Sequence, residues 1–151
     1  MKKLFLSVLM VLSALSSAAS AQAPAQAPAA APAAMSKVMQ SLQGNWLVLN
    51  LGGQDLVAAG VEAVFVINGD KYQTLMNGQL DETGSFKLDE SKTPMTFDLT
   101  ILTGNDAGKF QPGLIEIKDD VVRVGLAEPG NPNRPATIDG AEAFGIFKKI
   151  K

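Results

Sequence analysis

Val61-Glu62-Ala63-Val64-Phe65-Val66-Ile67-Asn68-Gly69-Asp70-Lys71-Tyr72-Gln73-Thr74-Leu75-Met76-Asn77-Gly78 is the stretch that decides the fold. Residues 61–67 and 72–76 are β-rich runs, and each is closed by Asn-Gly. Asn-Gly tolerates the positive φ that both central residues of a type I′ turn require, and that turn matches the twist of paired strands. Two such turns a few residues apart predict a three-stranded antiparallel meander.

Working outward, the same period of two continues. Residues 46–51 form an earlier β-rich run closed by Gly52-Gly53. Leu80, Glu82, Gly84, Phe86 and Leu88 share one face of a fourth strand, and residues 89–94 make a polar turn. Phe97, Leu99 and Ile101 then alternate with Thr96, Asp98 and Thr100, the pattern of a half-buried strand. A loop over 104–108 leads to runs at 114–118 and 121–126 that flank Asp119-Asp120. Residues 128–135, with three prolines, cannot be central sheet, and 143–150 is the closing strand. Ahead of the strands, Met35, Val38, Met39 and Leu42 mark one stripe of a short helix, with Ser36 at its cap and Gly44 past its end. The prediction is an all-β, antiparallel up-and-down barrel of seven or eight strands with a short N-terminal helix over residues 35–151. Short sequential connections favour that topology over a Greek key, and closure removes exposed edges.

Composition narrows the chemistry. The 151 residues include neither Cys nor His, which removes disulfides, thiolate nucleophiles, Cys-ligated zinc and the usual neutral-pH acid/base group. An enzyme is not expected, and no cofactor or metal site is read. Lys2 and Lys3 followed by apolar residues 4–15 and by Ala19-Ser20-Ala21 form a Sec-type signal peptide, residues 1–21, cut before Gln22. Residues 22–34 contain only Ala, Pro and Gln, an extended flexible linker. The mature chain is then expected in the periplasm or secreted, with no membrane insertion. Its net charge is about −4 without a basic cluster, which argues against nucleic acid as a partner.

Leu42-Gln43-Gly44-Asn45-Trp46 places Gly-x-Trp at the start of the first strand, as lipocalins do. Downstream stand Gly69-Asp70-Lys71-Tyr72, Gly84-Ser85-Phe86-Lys87-Leu88-Asp89, Pro94 and Asp98-Leu99. Residues 113–120, Leu126-Ala127-Glu128-Pro129-Gly130 and Asn133-Arg134-Pro135 follow in order. Across residues 42–151 this series resembles the planctomycete-type lipocalin-like domain family. The resemblance implies a small calycin-like barrel on exported proteins, with a role largely unassigned. The chain departs from the pattern at Leu114-Ile115, where an aromatic stands before the acidic turn, and at Gly125, where Cys is common. The resemblance also implies that Trp46 packs across the barrel floor under a basic residue of the last strand, Lys148 or Lys149.

Other motifs carry less. Gly104-Asn105-Asp106-Ala107-Gly108-Lys109-Phe110 is one residue short of a phosphate loop, lacks the Ser/Thr after Lys and runs into Pro112-Gly113 rather than a helix. Asp81-Glu82, Asp89-Glu90 and Asp119-Asp120 are adjacent carboxylates, which in strands point to opposite faces and in turns into water. Arg123 shares a strand face with Val121, Gly125 and Ala127, opposite Val122, Val124 and Leu126. Period two directs it outward; directed inward, it would hold a ligand carboxylate.

Two functions from different classes follow. In the first, the barrel binds a small apolar or amphipathic ligand; Phe65, Met76, Phe86, Phe97 and Arg123 are the candidate lining, and Leu56 and Val57 belong to a lid over residues 52–60. In the second, the domain is a tethered structural or protein-interaction module with a filled core, and residues 52–60 plug the barrel. Its partner would be another extracytoplasmic protein.

Overall fold

Residues 34–151 are described by the computed structural model. The expected signal peptide and all of the expected linker except Ala34 fall outside them. The helix α1 spans Lys37–Leu42, and the strands are β1 (Gly44–Leu51), β2 (Gln54–Asp55), β3 (Ala63–Asn68), β4 (Lys71–Met76) and β5 (Gln79–Asp89). They continue as β6 (Met95–Thr103), β7 (Phe110–Gln111), β8 (Gly113–Lys118), β9 (Val121–Leu126) and β10 (Ala143–Lys149).

Eight of these strands close a ring. Each of β1, β3, β4, β5, β6, β8, β9 and β10 pairs antiparallel with the next, and β10 returns to β1 with Trp46 opposite Lys149. The domain is therefore an up-and-down β-barrel of eight strands. The two-residue strands β2 and β7 add short ladders to β1 and β6.

Turn chemistry sets the register. Asn77 (φ 51°) and Gly78 (φ 77°) are both left-handed, as a type I′ turn requires, and join Met76 to Gln79. The other Asn-Gly behaves differently. Asn68 pairs with Lys71 inside the ladder, so the turn is Gly69-Asp70 and Gly69 alone takes the positive φ. The predicted face of β5 also needs correction at Leu80. The β4–β5 register shifts between Thr74 and Leu75, which turns Leu80 outward against Leu75 and leaves it exposed, while Phe86 stays in the core.

The two ends of the barrel are built differently. At one end, Ser36 caps α1 by accepting from the Met39 amide, and its hydroxyl donates to Glu90 in the β5–β6 turn. At the other end of the helix, the Gln43 side chain accepts from the Gly69 amide at 2.6 Å and donates to the Gly69 carbonyl. Fixed at both ends, this two-turn helix lays Leu42 into the core. Met35, predicted on its stripe, precedes the helix and is exposed. Residues 52–62, 77–78 and 104–109, and the two ends of the 127–142 segment, lie at the opposite end, the mouth.

Candidate functional site

The base is solid. Trp46 is fully buried, and its indole N–H donates to the Leu42 carbonyl at 2.7 Å. Lys149 lies over the indole with Nζ 5.1 Å from the ring centroid and donates to the Ser41 carbonyl. Lys148 is the neighbour in the strand, so its side chain leaves by the outer face and is exposed. Between Leu42, Trp46, Ile67, Phe97, Ile115 and Val122, only about 10 Å³ is empty. That is about the room one water needs, without a polar partner to hold it.

Above the base the barrel widens. Phe65 stacks on Tyr72 at 5.0 Å and on Phe147 at 5.6 Å, with interplanar angles of 14° and 10°. Phe65 and Phe147 border both spaces, so they form the floor of a cavity of about 350 Å³ at the mouth. Its walls are largely apolar: Val48, Leu51, Ala63, Met76, Leu99 and Leu126. A volume near 350 Å³ is at the lower end of what small-molecule sites occupy, about 300–1,000 Å³.

The charged groups at this cavity are all acids, and Thr74 adds a hydroxyl to its wall. Asp81, Glu82, Glu142 and Gln111 line it, and neither Lys nor Arg does. The Glu82 carboxylate accepts a hydrogen bond from the Tyr72 hydroxyl at 2.8 Å. Burial raises the Glu82 pKa; the Tyr72 bond opposes that, and the charges of Asp81 and Asp106 add to it. Burial also raises the Tyr72 phenol, reinforced by Glu82. Glu142 accepts from the Glu128 amide at 2.8 Å and from Asn131. Gln111 is only 7% exposed and faces inward opposite Leu99. Its amide nitrogen donates to the Ala127 carbonyl at 2.8 Å.

Of the residues singled out from sequence, Phe65 and Met76 line this cavity. The others do not. Leu56 is buried in the core cluster, and Val57 beside it is 57% exposed, because the 56–60 turn carries its tip outward. Residues 52–60 therefore contribute one core side chain rather than a cover. Phe86 and Phe97 pack on each other at 5.0 Å within the filled part of the barrel. Arg123 lies on the outer face: it pairs with Glu116 at 3.3 Å and with Asp139, and stands over the Phe144 ring. The residues that sequence reading missed are Glu82, Gln111 and Glu142. Only alternation marked Glu82, and Glu142 comes from a segment without period.

A second layer lies outside the barrel. Residues 127–142 cross the outer face of β8 and β9, with Ile138 buried against them. A Cβ on Gly125 would lie 2.7 Å from the Ile138 backbone, so a glycine is needed for this close approach. Gly125, a departure from the lipocalin-like pattern, thus faces this strap rather than the interior. Arg134 ties the strap down through Asp98, with Nη2 3.0 Å from Oδ2, and through the Gly113 carbonyl at 2.6 Å.

The fold and the mouth define a small closed β-barrel with a filled base and an apolar-walled cavity open to solvent at its mouth. No protein-family model, curated protein or solved structure matches the chain. Among the described residues, no helix is long and apolar enough to cross a membrane.

Proposed function

We propose that this chain is an exported lipocalin-like binding domain that takes a small apolar or amphipathic molecule at the barrel mouth. The observation that carries the reading is the division of the interior into a packed base and an apolar-walled cavity of about 350 Å³. A barrel of eight strands has room for side chains or for one small ligand, and here the mouth end keeps that room. The family resemblance and the signal-peptide pattern supply the exported setting. Binding rather than catalysis fits a site without His, Cys or an activated nucleophile.

The second reading, a structural module with a filled core, draws support from the packed base and from Leu56 in the core cluster. Titration with an apolar fluorescent probe separates the two. Wild-type protein should bind it saturably at one site, and Thr74→Phe, which fills the mouth, should weaken binding at least about tenfold, or 1.4 kcal/mol. Absence of saturable binding, or equal binding by Thr74→Phe, decides for the filled-core module.

A further inference from the structure

Resting on the binding reading, we propose that the mouth selects an amphipathic cation, an apolar body bearing an ammonium group, over neutral or anionic molecules of the same shape. The charge of the lining sets that sign, and the apolar walls take the body of the ligand. The floor of the cavity is the stacked pair Phe65 and Phe147, which adds hydrocarbon contact. Its charged lining is entirely acidic, and among the described residues no Lys or Arg comes within ion-pair distance of Asp81, Glu82 or Glu142. Gln111, more than nine-tenths buried, also lines the cavity and bonds the Ala127 carbonyl through its amide nitrogen; being uncharged, it does not offset the acidic lining.

A bare metal ion does not suit the same place. The carboxylates do not converge into a group able to hold one, and most of the wall is hydrocarbon. An organic cation satisfies both halves. Its apolar part covers Val48, Ala63, Met76 and Leu126, while its head group meets the carboxylates without losing its water to a dry site. A fatty acid would place a carboxylate beside three others.

Calorimetric titration of the folded domain with octyltrimethylammonium, octanol and octanoate at low salt tests this. The cation should bind at least about tenfold more tightly than octanol, and octanoate most weakly of the three. Glu82→Gln with Glu142→Gln should reduce the ratio of cation to octanol affinity severalfold, and added salt should reduce it in the wild type. Gln keeps the acceptor oxygens toward Tyr72 and the Glu128 amide, and circular dichroism checks the fold of the variant. Octanol or octanoate binding as well as the cation overturns the selectivity while the binding function stands. If none of the three binds, both fall together.

Discussion

Phe65 and Phe147 stack face to face at 5.6 Å, and this pair separates the filled half of the barrel from the open half. Removing one ring should merge the two spaces. Phe147→Ala is expected to cost about 3–5 kcal/mol, as large core truncations do, read from the midpoint of urea unfolding. A loss below about 1 kcal/mol would mean the pair is not part of the barrel's load of packing.

The two adjacent lysines of β10 should behave unlike each other. Lys149 covers Trp46 and bonds the Ser41 carbonyl, whereas Lys148 points to solvent. Lys149→Met should cost about 1 kcal/mol and change the tryptophan emission. Lys148→Met should stay within about 0.5 kcal/mol. Equal effects would contradict the placement of the two side chains.

Glu82 gives the mouth a pH signature. Its carboxyl is raised above the ordinary 4.5, first by burial. The folded state therefore holds the proton more tightly than the unfolded chain, and stability falls as pH climbs from 4.5 through the raised value. Glu82→Gln should raise Tm at pH 7, and the gain should vanish below about pH 4. A gain that persists unchanged in acid would place its cause elsewhere.

The strap depends on a fork and a gap. Arg134→Lys keeps the charge but not the paired contact with Asp98, and should cost about 1–2 kcal/mol with faster amide exchange over residues 127–142. Gly125→Cys should cost about 1–3 kcal/mol, because its Cβ meets the Ile138 backbone. A neutral Gly125→Cys would show that the strap yields freely.

Arg123→Ala should leave probe binding at the mouth unchanged, because the guanidinium lies on the far side of β9 with Glu116 and Asp139. Its stability cost should stay below about 1 kcal/mol, as for exposed pairs.

The barrel was legible in the sequence because its information is local. Alternation in 97–101 and 121–126 and the Asn77-Gly78 turn fix faces and neighbours without knowledge of the rest. Leu80 escaped because a bulge adds a residue to one strand without a signal in composition. The site was less legible. Most inward positions of this barrel are apolar, so Phe97 in the base and Phe65 at the mouth look alike in sequence. What separates them is how far along the barrel each strand has travelled, a property of eight strands together. Gln111 and Glu142 reach the cavity through a two-residue strand and a strap end, where no periodicity exists to read.

Closure through Trp46 and Lys149 joins the first and last long strands of the domain. In chain order β10 is the last of these ten strands, so until it pairs the sheet is an open, curved ribbon with β1 and β9 as unprotected edges. Most strand pairs zip with their sequence neighbours quickly, but the final seam must wait for the most distant strand pairing of the barrel. A chain stopped before Ala143 would present two sticky borders to its neighbours. The same strand that completes the cavity is thus the one whose arrival ends the hazard of aggregation.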